Sequence, residues 1–320
     1  MKRIGLLTSG GDAPGMNACI RAVVRYASFY DIEVYGIERG YVGLIGDQMR
    51  ILTKRSVSDI IQRGGTIIKT ARCPEFMEYK GVKEGACNLS NRDIEGLIVI
   101  GGDGSYRGAK DLYELFGVKV IGIPGTIDND LNYTDFTLGF DTAVNTVLSA
   151  INNLRDTMSS HDRVCIIEVM GRHCGDIALY SGIAGGAEVV LVPEKPVDIQ
   201  EVIDKLCISK ASGKQSGIIV LAEGAYPLDK LQKELEEKTG LIIRTTILGH
   251  IQRGGTPSMM DRVLAAKFAV RAIELLRKNI GGRVVGIRQN IIIDEDIKLA
   301  LEMKSNFDHE MLDMIKILSL

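Results

Sequence analysis

The chain has 320 residues, 45% of them hydrophobic and 25% charged, with a net charge of −2. This is ordinary globular composition for roughly two domains, and it gives no charge argument for a nucleic-acid or membrane partner. Six scattered cysteines without C-x-x-C spacing argue against zinc, and no apolar run is long enough for a signal peptide or membrane span, so a reduced, cytoplasmic protein is expected.

In chain order, short β-branched runs appear at RIGLLT, EVYGI, GLIVI, VKVIGI, RVCIIEVM, EVVLV, GIIVLA and RVVGI, each ending in glycine or a polar turn. Helical patterns lie between them. Asp141 is placed to cap a helix whose apolar positions are Val144, Val147, Leu148, Ile151 and Leu154. Val263, Ala266, Val270 and Ile273 repeat that spacing in the segment after TPSMMD. Continuous apolar strands alternating with helices predict an α/β protein with mainly parallel sheets covered on both faces. A domain boundary is expected near residue 139, where the DND loop gives way to the long helix.

The segments after the strands carry the chemistry. Ser9-Gly10-Gly11-Asp12 follows the first, Gly101-Gly102-Asp103-Gly104-Ser105 follows GLIVI, and Pro124 to Asp130 follows VKVIGI. Gly171-Arg172-His173 and Glu223-Gly224 follow two later runs. Ligands of open α/β sheets bind at these carboxyl ends. GGDGS opens a helical pattern, and backbone N–H groups at a helix N-terminus bind phosphate. Its spacing nearly matches a dinucleotide fingerprint, but Asp103 inside the glycine fork would repel a bare pyrophosphate. The carboxylate fits if Mg²⁺ lies between them, because Mg²⁺ uses one or two carboxylates plus phosphate oxygens. There is no Walker A pattern.

Arginines supply the complementary charge: Arg72, Arg163, Arg172, Arg244 and Arg253, the last near His250. Asp128 and Asp130, two residues apart after a Pro-Gly-Thr turn, would repel each other unless such cations offset them. Phosphoryl transfer needs a metal carboxylate, phosphate clamps and a carboxylate that takes or orients the hydroxyl proton. Asp103 suits the first role, Asp128 the last, Asp130 a supporting one, and Thr126 offers an N–H and a hydroxyl to the moving group. The residues thus point to an α/β phosphotransferase acting on an anionic, phosphorylated hydroxyl substrate.

The motifs LLTSGGDAPGMNACIRA, GGTIIKTARCPEF, GLIVIGGDGSYRGA, IGIPGTIDNDL, TDFTLGFDTA, IEVMGRHCGDIAL, AEGA and TTILGHIQRGGTPSMMDRVLA resemble the bacterial ATP-dependent 6-phosphofructokinase family along essentially the whole chain. The resemblance implies a cytoplasmic, glycolytic, Mg²⁺-dependent homotetramer that moves the γ-phosphoryl of ATP to the 1-hydroxyl of fructose 6-phosphate. It implies two three-layer α/β/α domains: a larger ATP-binding one at 1–139 plus 252–303, and a smaller sugar-phosphate one at 140–251 plus 304–320. By the same resemblance, Asp128 is the base with Thr126, Asp130 and Arg172 beside it. Gly11, Tyr41, Arg72, Cys73, Gly102, Asp103, Gly104 and Ser105 match the nucleotide site, with Asp103 on the metal. Thr126, Ile127, Asp128, Met170, Gly171, Arg172, Glu223, His250 and Arg253 match the sugar-phosphate site, with Arg163 and Arg244 reaching it from a neighbouring subunit.

The family also carries an effector site between subunits, where ADP activates and phosphoenolpyruvate inhibits. Arg21, Arg25, Lys54, Asp59, Arg155, Gly186, Glu188 and Lys214 match it. Ser212 and Ser216 stand where a basic residue and a histidine are common, and Arg55 follows Lys54. Gly104 and Gly125 are of the ATP type; pyrophosphate-dependent relatives usually carry aspartate and lysine there. A pyrophosphate-dependent enzyme and a non-catalytic sugar-phosphate sensor are the alternatives. A sensor has no use for Asp103 and Asp128 together.

Overall fold

The computed structural model describes residues 1–214, 216–304 and 307–319. The chain forms two compact units, Met1–Thr142 with Arg253–Ser305, and Ala143–Gln252 with Asn306–Leu320. Of the segment expected at 304–320, Ser305, Asn306 and Leu320 lie outside the described residues.

The first unit is built on strands β1 (Arg3–Thr8), β2 (Glu33–Ile37), β3 (Met49–Leu52), β4 (Gly96–Gly101), β5 (Lys119–Thr126) and β6 (Leu138–Gly139), joined by two late strands. After β7 (Val164–Val169), β8 (Val189–Leu191), β9 (Gly217–Ala222) and β10 (Ile243–Ile247), which belong to the second unit, the chain returns with β11 (Arg283–Arg288) and β12 (Ile291–Asp296). The sheet order is β12-β11-β5-β4-β1-β2-β3, with β6 beside the end of β5. The central pairs are parallel, whereas β3 and β12 close the two edges antiparallel.

Residues alternate across a strand, so both faces need cover. Leu7, Val99 and Val120 share a core with Tyr106, Ala109 and Leu112 of the helix Asp103–Phe116 and with Val82 and Leu89 of the helix Tyr79–Asn91. The alternate residues Leu6, Ile98, Ile100, Ile121 and Ile123 are also fully buried. The helix Met259–Arg277 packs on β5 and against the helix Met16–Phe29. Continuous burial explains why these strands read as unbroken apolar runs.

The second unit has a parallel sheet of order β10-β7-β9-β8. One core joins Val164, Ile166, Ile219, Leu221 and Ile243 to Val202 and Leu206 of the helix Ile199–Ala211 and to Leu231 and Leu235 of the helix Leu228–Thr239. The helix Asp176–Ala184 packs on β8 and β9. Among the described residues, no helix is long and apolar enough to cross a membrane.

Two local expectations need correction. The helix Phe140–His161 already contains Asp141 in its first turn, so Asp141 is not its cap. The fully buried carboxylate of Asp261 takes that task from another helix, accepting the N–H groups of Gly139 at 2.8 Å and Thr142 at 3.0 Å. In the helix Met259–Arg277 the buried face is Leu264, Ala265, Phe268, Ala269, Ala272 and Ile273, while Val263 and Ala266 are exposed. The helix is real, but its stripe is rotated by about one residue because Asp261 must face inward.

Burial raises the Asp261 carboxyl to about 6, against the opposing pull of the Thr142 and Gly139 hydrogen bonds. The native state therefore holds this proton to higher pH than the unfolded chain. The contribution is full below about pH 4 and is lost as pH rises through about 6. Asp261→Asn should flatten the wild-type fall in stability across that window, a difference of about 2–3 kcal/mol between its ends. Urea midpoints at both pH values check this; unchanged slopes in wild type and variant would refute it.

Candidate active site

Three neighbouring strands of the first unit bring the expected loops together. In the order β5-β4-β1, Gly101 pairs with Pro124 and Ile100 with Thr8, so their carboxyl ends are level. A β-carbon at Gly102 would lie 3.7 Å from Thr126 Cβ, and one at Gly10 would lie 3.5 Å from Ser105 Oγ. The GGDGS, PGTIDND and SGGD segments thus touch. The loop carrying Arg72 joins them, since Thr70 Oγ1 donates to the Gly10 carbonyl at 2.8 Å. Asn17 holds that same loop, donating to the Arg63 and Gly64 carbonyls and accepting the Ile67 N–H at 2.8 Å.

Asp128 is 4% exposed at the mouth of this cluster, with Thr126, Asn129 and Asp130 half-buried around it. Its backbone N–H donates to Thr126 Oγ1 at 3.2 Å. Ile127 is buried and anchors the loop in the core. Asp103 opens the helix Asp103–Phe116 behind Gly102, which has no side chain to cap it. The Asp103 carboxylate is paired with Arg107 one turn on, at 2.8 and 3.2 Å, which raises the guanidinium further above its ordinary value. Ser105 is buried, and its carbonyl accepts the Tyr41 hydroxyl at 2.6 Å. Tyr41 is itself buried and stacked on Phe76 with centroids 4.0 Å apart, so it buttresses the loop from within. Burial pushes both the Tyr41 hydroxyl and the half-buried Cys73 thiol up. Arg72 is exposed.

Arg253 lies in the first unit and reaches Gly11: a β-carbon there would stand 3.0 Å from Arg253 Nη1. The structure therefore places the Arg253 guanidinium beside the GGD loop. Among the described residues, no three His, Cys, Asp or Glu side chains are grouped to hold a metal unaided. Asp103 alone still fits Mg²⁺, because that ion takes most of its ligands from water and substrate phosphates. A β-carbon at Gly104 meets nothing within 4 Å, so the space beside Asp103 is open.

In the second unit, the loops after β7, β9 and β10 meet in the same way. Glu223 accepts the N–H groups of Gly171 at 3.2 Å and Arg172 at 2.8 Å, and so fixes a turn in which Arg172 has φ 55°. Burial, with Glu223 nearby, pushes the Glu168 carboxyl up. Fully buried Gln252 accepts the Met170 N–H at 3.2 Å and donates to the Gly249 carbonyl at 3.0 Å, beside exposed His250. Arg163 and Arg244 do not join this group within the chain. Arg163 precedes β7 and Arg244 pairs with Cys165, at the amino ends of the strands.

The residues matched to an effector site fall in two sets. Arg155 and Lys214 converge on Glu188, which is 2% exposed, at 3.5 and 2.6 Å. Arg155 also donates to the carbonyls of Gly185 at 2.8 Å and Gly186 at 2.7 Å. Ser212 is exposed and its hydroxyl donates to Ser209, while Ser216 is half-buried. Arg21, Arg25, Lys54 and Asp59 lie in the first unit, with Lys54, Arg55 and Asp59 exposed.

Asn17, Asn129, Thr137, Gln252 and Asp261 hold these loops and escaped the sequence reading. The one signal available was that each is a polar residue inside one of the motifs.

The family pattern described as Phosphofructokinase matches residues 3–276. An ATP-dependent 6-phosphofructokinase of Clostridioides difficile is 55% identical over 320 residues, covering 100% of both chains. The protein of that name from Bacillus subtilis is 54% identical over 320 residues, again covering 100% of both. The solved phosphofructokinase of Saccharomyces cerevisiae superposes with a TM-score of 0.88 at 32% identity, over 100% of this chain and 48% of that one. The chain therefore spans about half of the yeast chain's length. A pyrophosphate-dependent phosphofructokinase from Marinobacter aquaeolei shares the fold, with a TM-score of 0.86 at 20% identity over 98% of this chain and 91% of that one.

Gly125 and Gly104 differ in what surrounds them. A β-carbon at Gly125 would lie 2.8 Å from Ile100 Cγ2, 3.2 Å from Met16 Cε and 3.3 Å from the Gly101 nitrogen. Gly125→Ala should therefore lower stability by about 1–3 kcal/mol through overpacking. Gly104→Ala should not lower it by more than about 0.5 kcal/mol. Urea midpoints of both variants decide; equal losses would contradict the packing argument.

Proposed function

The chain belongs to the phosphofructokinase family, and we propose that it is an ATP-dependent 6-phosphofructokinase, a glycolytic kinase that converts fructose 6-phosphate and ATP to fructose 1,6-bisphosphate and ADP. The observation that carries the reading is Asp128, a nearly buried carboxylate just past the end of β5, whose N–H donates to Thr126 Oγ1 where Thr126 lies against Gly102 of the GGDGS loop. The sugar 1-hydroxyl oxygen forms a bond to the γ-phosphorus while its bond to the bridging oxygen of ADP breaks. Asp128 takes the hydroxyl proton. Asp130 steadies that pair, and Ile127 keeps the loop seated.

The first unit serves the nucleotide. Gly11, Gly102, Gly104 and Ser105 let the phosphates approach backbone N–H groups at a helix N-terminus. Arg72 offsets nucleotide phosphate charge, Cys73 lines the approach, and Tyr41 acts through the Ser105 carbonyl; Arg253, beside Gly11, keeps the sugar-phosphate role that the family resemblance gives it. Mg²⁺ held by Asp103 and phosphate oxygens would neutralise charge on the transferred group. The second unit serves the sugar phosphate through Met170, Gly171, Arg172, Glu223 and His250. The position of Arg163 and Arg244 at the far strand ends supports their serving a neighbouring subunit; the homotetramer is carried over from the family resemblance. A cytoplasmic location goes with this reading.

ATP is favoured over pyrophosphate as donor because Gly104 leaves room for a nucleotide and Gly125 is too tightly packed for a lysine. A coupled assay with fructose 6-phosphate should show turnover with ATP and almost none with pyrophosphate. Asp128→Asn should lower kcat about 10²–10⁴-fold with substrate binding and fold intact. Equal rates with both donors would reject the ATP assignment, and near-normal turnover of the variant would reject the base.

Regulation is read from the basic groups around Glu188. By the family resemblance, Arg21, Arg25, Lys54, Asp59, Arg155, Gly186, Glu188 and Lys214, drawn from two neighbouring subunits, form an anion site between them for ADP or phosphoenolpyruvate. Ser212 and Ser216 remove up to two cations from it. A charge-assisted hydrogen bond is worth about 1.5–3 kcal/mol, so one lost contact weakens an effector about tenfold. Ser212→Arg should move the effector titration to lower concentration while maximal turnover stays put. An unmoved titration would show that position 212 does not face the anion.

A further inference from the structure

Between the two acids of the Asp128 loop stands a residue that the reaction itself does not require. Asn129 sits at φ 54°, in the left-handed region that asparagine enters more readily than most residues. Its side chain is held on both sides. Oδ1 accepts the Thr137 N–H at 3.0 Å, and Nδ2 donates to the Asp135 carbonyl at 3.2 Å. The Thr137 hydroxyl, on a residue 1% exposed, donates to the Thr126 carbonyl at 2.6 Å.

The frame closes through the strands. Thr126 Oγ1 accepts the Asp128 N–H, Leu138 and Gly139 pair with Gly125 and Thr126, and Gly139 donates to buried Asp261. The strand end, the acidic loop and the returning segment are thus one hydrogen-bonded unit. Remove the Asn129 amide or the Thr137 hydroxyl, and the loop keeps its covalent path and its strand pairing but loses part of its tie to the returning segment. The Asp128 carboxylate would then sample directions away from the substrate hydroxyl. A misplacement of about 1 Å is enough to lose about two orders of magnitude in rate.

We propose that Asn129 and Thr137 are positioning residues for phosphoryl transfer, bracing residues 135–139 against the Asp128 loop so that the Asp128 carboxylate is aimed at the attacking hydroxyl. This rests on the reading of Asp128 as the base. Asp261 is the outer anchor of the same frame.

Steady-state kinetics on purified variants test it. Asn129→Gly keeps the left-handed backbone accessible and deletes only the amide. Thr137→Val keeps shape and deletes the hydroxyl, and Thr137→Ser restores it. Asn129→Gly and Thr137→Val should each lower kcat about 10–100-fold, with both KM values within about threefold of wild type. Thr137→Ser should recover most of the turnover lost in Thr137→Val. The double variant should lose little more than either single one, as expected for residues acting as one unit. Should Asn129→Gly fail to fold, the Thr137→Val and Thr137→Ser pair carries the test.

Turnover of Asn129→Gly within about twofold of wild type would overturn the brace, because such a change is smaller than a 1 Å misplacement produces. So would losses in which KM and Tm move together with kcat. An inactive Asp128→Asn enzyme beside a normal Asn129→Gly enzyme rejects the brace alone. An active Asp128→Asn enzyme rejects the base, and the brace with it.

Discussion

The carboxylate of Asp261 sets the constraint on which the first unit depends. It is fully buried, and its raised pKa shows that burial outweighs the hydrogen bonds it receives. Gly139, Thr142 and the Thr142 hydroxyl all donate to it, and the Ser258 hydroxyl caps its own helix through the Asp261 N–H. One acid therefore fixes the start of the Phe140–His161 helix and the short strand β6, while Ser258 caps the helix that carries it. Because β6 pairs with the end of β5, the acidic loop between them inherits that fixed geometry. A buried acid is costly in isolation, and it persists where several donors converge on it.

The same principle recurs at the second loop cluster with different atoms. Glu223 gathers two backbone N–H groups from the Gly171–Arg172 turn, and Gln252 gathers Met170 and Gly249. Backbone donors at the ends of parallel strands have no ladder partner, so side chains or ligands must satisfy them. Here one acid and one amide satisfy the N–H groups of Met170, Gly171 and Arg172. The left-handed φ of Arg172 is tolerated because Glu223 holds the N–H on that residue. Strain of this kind collects where function needs a set direction.

Much of the fold was legible because burial on both faces leaves an unmistakable pattern. The runs at β1, β4, β5, β7 and β9 needed no context to be read. The edge strands β3 and β12 were not read, since MRIL is short and IIIDED turns acidic halfway. Two-residue β6 has no pattern at all. In the candidate site, the glycines, acids and arginines were legible as reactive types. Their braces were not, because asparagine and threonine in a turn look like ordinary turn residues. Asp261 reads as a common acid in the first turn of a helix, and only the fold reveals that it faces Gly139. The rotated stripe of the Met259–Arg277 helix has the same cause.

Gly104 and Gly125 look alike in sequence, yet physics assigns them different status. At Gly125 the missing β-carbon is demanded by Ile100, Met16 and the backbone of Gly101, whatever ligand the loop receives. At Gly104 nothing within 4 Å demands it. A side chain at Gly104 would project into the space beside Asp103 without disturbing the core, so that glycine is free to answer to the ligand alone. A side chain at Gly125 must first displace Ile100, near the carboxyl end of β4, and with it the level strand ends that bring the loops together. A change of phosphoryl donor through both positions would therefore require repacking between β4, β5 and the Met16–Phe29 helix. A donor preference set by these two glycines would thus rest at one position on open space and at the other on the core.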